Sequence, residues 1–414
     1  MAEVIVAGVP TAWEHSTLEE ICERGGGNIQ TGPFGSQLHA SDYVPIGVPS
    51  VMPQDIGDNV IRDDFIARIT VEDSLRLSRY LLAAGDIVYS RRGDVERRAL
   101  VRPEQEGWLC GTGCLRIRPG NGINSAYLSY YLGHSSVRQW IKQHAVGATM
   151  PNLNTKILGA VPVVAPPWRE QESIAAALGA LDDKIAVNER IAITYEQLLK
   201  LQVERMGLEV DPDPATAVPV TEFVHFNPKV PKPSSEAVYV DMAALSTNRA
   251  GISAWARREP KGGTRFVNGD TLLARITPCL ENGKTGYIDF MEDGEIGAGS
   301  TEFIVMRSAR GVPPEFTYFL ARSNRFREHA IRNMAGSSGR QRVAAADAAN
   351  FYIDCPDGKL LAEFGTVASD SFAHMRSLDR ESRLLITLRD SLLPQLMSGK
   401  LRVRDAEKIV EDAV

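Results

Sequence analysis

Arginine is where this sequence concentrates its chemistry. Between Arg91 and Arg118, seven arginines (91, 92, 97, 98, 102, 116 and 118) stand against four acids (94, 96, 104 and 106), a balance of +3. From Arg322 to Arg342, six arginines stand against one acid, Glu328, a balance of +5. A guanidinium carries five donors in a planar fork, which suits bidentate contact with a phosphate or with the O6/N7 edge of guanine. Any one arginine is more often a solvated charge or half of an internal ion pair, but two clusters at corresponding places favour contact with a polyanion. Arg91, Arg92 and Arg275 are the candidates for holding a phosphate backbone. They are joined by Ser337, Ser338, Arg340 and Gln341 in the loop GSSGRQR, and by Thr149 and Asn152 in the matching loop of the first half. A third loop, TGPFGSQL from Thr31 to Leu38, offers backbone amides at Gly35, the Ser36 hydroxyl and the Gln37 amide for close approach to phosphates or base edges. Its competing reading is a tight packing turn in which Phe34 is buried.

Catalytic patterns are weak by comparison. Amino-methyltransferases hold a flipped base with Asn, Asp or Ser followed by Pro-Pro and an aromatic residue, the polar side chain accepting the amino hydrogen bond. In APPW that first position is Ala165, which has no acceptor. The stretch ERGGGNIQ lacks the hydrophobic strand that precedes a cofactor-binding glycine turn, and no GxxxxGK[ST] phosphate loop occurs. Asp63 and Asp64 are adjacent acids without the lysine of a nuclease site, and the seven histidines form no i, i+4 ligand pair. The five cysteines are odd in number and scattered, Cys110 and Cys114 having no second pair, which fits reduced thiols. The expectation is a non-catalytic chain with no metal and no cofactor of its own.

Positioning these loops requires a scaffold, and the scaffold is written twice. GDIVYSR at Gly85 recurs as GDTLLAR at Gly269; GTGCLRIRP at Gly111 recurs as GSTEFIVMR at Gly299; and the aromatic-rich segment from Ala126 recurs from Pro314. In both copies that helical segment ends at a glycine, Gly147 or Gly336, followed by a Ser/Thr-bearing loop. Conserved order over more than a hundred residues marks an internal duplication with diverged halves.

Each copy closes with a heptad seam. The first runs through Ile174, Leu178, Leu181, Ile185, Asn188, Ala192, Tyr195, Leu199, Gln202 and Met206. The second runs through Leu361, Phe364, Ala368, Ser371, Met375, Leu378, Ser382, Leu385, Arg389, Leu392 and Leu396, with Pro394 and Gly399 as stop signals. A helix of about 35 residues is ~50 Å long at 1.5 Å per residue, so each seam needs a partner, and the other copy can supply it in antiparallel pairing. DIVYS, CLRIR, GYIDF and EFIVM read as strands, which gives an α+β class. The chain of 414 residues is 43% hydrophobic with a net charge of −6, enough for several cores, and argues against indiscriminate nucleic-acid binding. No apolar run approaches the ~18 residues of a membrane span, and the N-terminus lacks a basic secretory leader, so a cytoplasmic location is expected.

GPFGSQLHASDY, GDIVYSRRG, PPWREQESIAAALGALDDKI, GDTLLARITPCLENGK and LLPQLMSGKL together resemble the DNA-specificity subunit of Type I restriction-modification systems, over nearly the whole chain. The resemblance implies two target recognition domains, each reading one half of a bipartite, asymmetric site in double-stranded DNA, with two long helices as spacer and as docking surface for two methyltransferase subunits. Motor/endonuclease subunits would join that complex; S-adenosylmethionine, ATP and Mg would be bound by the partners. The second copy departs from PPWREQ with CPDGKLLAEF. On this reading residues 1–169 form the first recognition domain, 170–208 the central helix, 209–219 an exposed linker, 220–357 the second domain, 358–399 the C-terminal helix and 400–414 a tail. Ile174, Leu178, Leu181, Ile185, Leu385 and Leu392 are the expected partner-binding positions. Two similar domains related by an approximate two-fold match half-sites about one duplex turn, ~34 Å, apart. The rival reading is a coiled-coil interaction scaffold that binds no DNA.

Overall fold

The computed structural model describes residues 5–63, 65–147, 150–233, 236–252, 254–259, 262–337 and 339–414. The chain divides into two compact units: Met1–Ile185 with Leu384–Val414, and Ala186–Arg383. Both long helices cross that division. The central helix spans Trp168–Arg205 and the long C-terminal helix Gly358–Met397, so each unit owns part of both.

The first unit is built on a five-stranded sheet of β1 (Asn28–Thr31), β2 (Asp58–Asn59), β3 (Ile87–Ser90), β4 (Arg98–Leu100) and β5 (Cys114–Arg118), ordered β1-β5-β3-β4-β2. All four residues of β3 are buried, as expected of a central strand covered on both faces. A smaller sheet contains the parallel pair Val48–Val51 and Leu109–Cys110. Two helices, α1 (Ser125–Gly133) and α2 (Ser135–His144), follow, where the sequence suggested one continuous segment. The chain breaks at His134, whose extended backbone ends α1 and whose ring accepts the Ser136 N–H to cap α2. Tyr127 and Tyr131 of α1 are fully buried and donate their hydroxyls to the carbonyls of Val164 and Pro162, which ties α1 to the strand leading into the central helix.

The second unit repeats this plan. Strands β6 (Val224–Phe226), β7 (Thr271–Ala274), β8 (Thr285–Tyr287) and β9 (Phe303–Ser308) lie in the order β6-β9-β7-β8, matching β1-β5-β3-β4 of the first sheet. The parallel pair recurs as Ala237–Val240 with Gly297–Gly299, and α3 (Phe316–Arg322) and α4 (Asn324–Arg332) break at Ser323, the counterpart of His134, whose hydroxyl caps α4. The duplication read from short sequence matches is thus a duplication of topology.

Within each unit the heptad seams meet as an antiparallel pair. In the first, Ile174, Leu178 and Leu181 share a core with Leu385, Leu392 and Leu396. In the second, Ala192 and Leu199 share a core with Leu361, Phe364, Ala368 and Met375. The polar seam residue Asn188 donates to the Glu381 carboxylate at 2.7 Å and to Ser382 at 3.3 Å, while Tyr195 meets His374. A paired polar residue inside an apolar seam fixes which residues face each other.

Some segments differ from the sequence reading. Ala217–Pro219, assigned to the linker, forms a ribbon with Tyr352–Asp354, as Glu14–Thr17 does with Pro162–Ala165; both ribbons stand just before a long helix. APPW is part of that support: Gln171 donates to the Pro166 carbonyl and accepts the Asn124 N–H, while the Trp168 indole donates to Glu172. The departure at CPDGKL has a local cause, since the Asp357 carboxylate accepts the N–H groups of Lys359 and Leu360 and caps the helix. The tail at 400–414 holds a helix, Val403–Glu411, whose Ala406 and Val410 are buried with Trp13, Leu396 and Met397.

Candidate functional site

The arginine that follows each central strand is held in the same way in both units. The Arg91 N–H donates to the Gly113 carbonyl, and the Arg91 carbonyl accepts from Leu153. Beyond it, Arg92 bridges Asn152, and Asn152 pairs with Val146 to close the turn that starts at Gly147. In the second unit the Arg275 N–H donates to Glu302, the Arg275 carbonyl accepts from Val343, and Ile276 and Ala335 both bridge Arg342. The Thr277 N–H then donates to the Gln341 carbonyl. Gly147 and Gly336 adopt φ of 117° and 131°, a region closed to residues with a side chain, and a Cβ at 147 would sit 2.5 Å from the Met150 carbonyl. The structure therefore brings Arg91, Arg92 and Asn152 together at one site, and Arg275, Ser337, Arg340 and Gln341 at another. Thr149 and Ser338 lie outside the described residues.

Hydrogen bonding in these loops is unfinished. Arg91 Nε and Asn152 Oδ1 in the first unit, and Arg275 Nε and Thr277 Oγ1 in the second, are buried with no partner among the described residues. A buried polar atom left unpaired costs about 1–3 kcal/mol, and of these four the Nε atoms of Arg91 and Arg275 stand at corresponding places in the two units. Arg92, Ser337 and Arg340 are exposed beside them. Thr277 escaped the sequence reading; its signal is its place two residues after Arg275.

The arginine clusters as counted do not survive as contact surfaces. In the first, Arg97 pairs with Asp94, Arg98 with Asp58, Arg102 with Asp183, and Arg118 with Asp86 through two bonds of 2.7 and 2.6 Å. Arg116 is buried and donates to Asn28, Gln30 and two backbone carbonyls. In the second, Arg325 pairs with Asp211, Arg332 with Glu328, and Arg342 with Glu302. These cations serve the fold, which leaves Arg91, Arg92, Arg275, Arg322, Arg327 and Arg340 without a carboxylate partner within 4.0 Å among the described residues. The repeated GD motif is likewise structural: Asp86 and Asp270, both buried, cap their own turns through the N–H groups of Ala83 and Val267 and each grip an arginine on the adjacent strand of the sheet, Arg118 and Arg307.

The Gly35–Gln37 turn has a mixed outcome. Phe34 is 59% exposed, so the packing-turn reading in which it buries is wrong. Gly35 and Ser36 are exposed, and Gly35 has φ of 63°. The Gln37 amide oxygen is engaged, accepting from the Tyr80 hydroxyl at 2.7 Å and the Phe34 N–H at 3.3 Å. The expected partner-binding positions need a further correction. Ile174, Leu178, Leu181, Leu385 and Leu392 are buried in the chain's own first-unit core, with Ile185 packed against it, because the two seams satisfy each other. Apolar side chains that the long helices do expose include Leu198, Leu201, Val367 and Leu384.

Among the described residues, no group of three or more His, Cys, Asp or Glu side chains is placed to hold a metal, and no helix is long and apolar enough to cross a membrane. Cys110 is buried, which pushes its thiol up to about 12.

Comparison with known proteins gives a consistent result. Residues 10–197 match the family described as Type I restriction modification DNA specificity domain. The chain is 26% identical over 223 residues to the EcoEI specificity subunit of a Type I restriction enzyme from Escherichia coli, covering 52% of this chain and 37% of that one. It is 33% identical over 132 residues to the EcoAI specificity subunit from the same organism, over 30% of this chain and 22% of the other. The matches thus span about a third or less of the length of these two relatives. Against the MjaIX specificity subunit of Methanocaldococcus jannaschii, identity is 20% over 439 residues, 97% of this chain and 96% of that protein. In fold, it is similar to the crystal structure of a Type-I restriction-modification system S subunit from M. genitalium, with a TM-score of 0.52, 14% identity, and coverage of 96% of this chain and 99% of that one.

Proposed function

We propose that the chain is a specificity subunit of the Type I restriction-modification family, that it reads double-stranded DNA by sequence and that it is itself non-catalytic. Each unit reads one half of a bipartite site, and because the two loops carry different residues the site is asymmetric. The observation that carries this reading is the pair of loops described above: cations without carboxylate partners and orphaned buried polar atoms at the same strand end of both units. Arg91, Arg92, Arg275 and Arg340 hold the phosphate backbone, while Asn152, Thr277 and Gln341, with Ser36 from the neighbouring turn, meet base edges. Arginine dominates because its fork fits phosphate geometry at two points.

The chemistry that follows recognition belongs to other chains. Methyltransferase subunits, two of them, bind S-adenosylmethionine and modify adenine; a motor and endonuclease subunit binds ATP and Mg. The complex works on DNA in the cytoplasm. The scaffold alternative predicts no salt-dependent duplex binding and gives no account of the repeated orphaned atoms.

The test is to co-express the chain with a methyltransferase subunit and map methylated adenines across the genome by single-molecule sequencing. A split, non-palindromic motif with a fixed gap is expected. A stable complex that adds no new motif refutes the reading.

A further inference from the structure

The two recognition loops are closed by the same frame and present opposite chemistry. In the first unit Val146 and Asn152 exchange both backbone hydrogen bonds, at 3.0 and 2.9 Å; in the second Ala335 and Arg342 exchange theirs at 2.9 Å. The turn closed by the first pair carries Val146 and Met150, 64% and 61% exposed. The turn closed by the second carries Ala335, Ser337, Arg340 and Gln341 and no large apolar side chain. Backbone contacts hold the first turn against its central strand: the Gly93 N–H donates to the Pro151 carbonyl at 3.1 Å, and the Leu153 N–H donates to the Arg91 carbonyl at 2.8 Å. Met150 precedes Pro151, which biases its backbone toward the extended region. A lone exposed apolar side chain is ordinary, but these two share one turn. A third, Phe34, stands on the turn that leaves the same end of the sheet, where the Gly32 N–H donates to Cys114 and the Arg91 N–H to Gly113.

We propose that Val146 and Met150 read the 5-methyl group of a thymine in the major groove of the first half-site, a contact for which the matching turn of the second unit has no side chains. That methyl is the one alkyl group on the base edges of the major groove, and apolar contact with it separates T·A from the other base pairs. The charge around the turn argues for DNA over a protein surface. Arg91 and Arg92 lie beside it without a carboxylate partner within 4.0 Å among the described residues, and Arg92 is exposed. The core of a protein interface is depleted of charge, whereas duplex DNA sets its thymine methyls between two rows of phosphates and answers both features at once. The halves of the site then differ in the chemistry by which they are read: an alkyl group by the first turn, polar edges by the second.

This inference rests on the DNA-reading function, and the experiment separates the two. A duplex carrying the motif found by methylation mapping is titrated with the full chain in complex with its methyltransferase partner. Each thymine is replaced in turn by deoxyuridine, which removes the 5-methyl group and leaves base pairing alone. Wild-type protein is expected to lose affinity about fourfold at one position, the worth of one methyl group taken out of water. Val146→Ala and Met150→Ala together abolish that loss, and the slope of log affinity against log salt stays at its wild-type value because no phosphate contact is removed. Val146→Ala supplies the residue that the second unit carries there, Ala335, so the turn closes as before. Uracil duplexes that all bind like the parent, or a loss that survives in full in the double variant, overturn the methyl contact while leaving sequence reading intact. A double variant that assembles poorly with the methyltransferase subunit and keeps the wild-type uracil loss assigns the apolar pair to a protein contact and overturns it too. Absence of any sequence preference in duplex binding overturns both the contact and the function it rests on.

Discussion

Replacing Arg389 by Met should loosen the first unit far more than an ordinary charge removal on a helix. Arg389 sits in the heptad seam with its side chain 12% exposed, and donates to Asp182 on the central helix at 2.7 Å and to Asp58 on β2 at 3.0 Å. Burial opposes its charge, yet Asp182, Asp58 and Asp390 together hold its pKa above the usual value. Methionine fills the space but leaves Asp182, itself 13% exposed, with the Tyr130 hydroxyl as its remaining partner among the described residues. Stranding one member of a buried pair costs about 3–5 kcal/mol; the exposed Asp58 keeps Arg98 and adds little, so about 3 kcal/mol is expected. Four of the five tryptophans (13, 108, 140 and 168) belong to the first unit, so tryptophan fluorescence reports on it during urea unfolding. With a slope of about 2–3 kcal/mol per molar, the midpoint should fall by roughly 1 M. Adding Asp182→Leu removes the stranded charge and should restore most of the loss. If the double variant is as unstable as the sum of the singles, the ion pair is not what holds these elements together.

Other outcomes are as specific. Burial pushes the Asp289 carboxyl up to about 6, with Arg376 opposing and Asp379 assisting. A raised folded pKa contributes stability below the unfolded value that is lost as pH rises through 6, so the margin of Asp289→Asn over wild type should grow by about 1 kcal/mol between pH 5 and pH 8. Calorimetry at the two pH values checks this, and a constant margin contradicts it. Gly133→Ala places a Cβ 1.9 Å from the Arg98 guanidinium, which is fixed by Ser129 and Asp58. A loss of about 1–3 kcal/mol in the first unit is expected in the same urea assay, and a neutral result means Arg98 has room to move. Alanine at both Arg340 and Gln341 should relax one half of the methylated motif and leave the other half and the gap intact; relaxation of both halves in the methylome would break the assignment of one loop to one half-site.

How much of this was legible in the sequence depended on how local the cause was. Heptad spacing found the seam, and burial of Ile174, Leu178, Ala192, Leu199, Phe364 and Leu392 follows it position by position. The repeated GD and aromatic segments located equivalent strands and helices because pattern and topology were copied together. Charge counting failed, since ion pairing is tertiary: Arg98 finds Asp58 forty residues back, Arg116 finds Asn28 and Gln30, and Arg325 finds Asp211. The useful arginines are those left over once partners are assigned, which no window of sequence can show. Gln37 was misjudged for the same reason, its amide being claimed by Tyr80 from across the unit.

The two units also differ in when they can exist. The second is one uninterrupted stretch, Ala186–Arg383, whereas the first draws its core from Met1–Ile185 and Leu384–Val414. As the chain leaves the ribosome, Ile174, Leu178 and Leu181 emerge about 200 residues before Leu385, Leu392 and Leu396, the residues that cover them. At roughly 5–20 residues per second, that apolar stripe stays bare for about 10–40 s. The part made later is therefore able to finish first, and the part made earlier depends on being kept from its neighbours until Leu384–Val414 has been made.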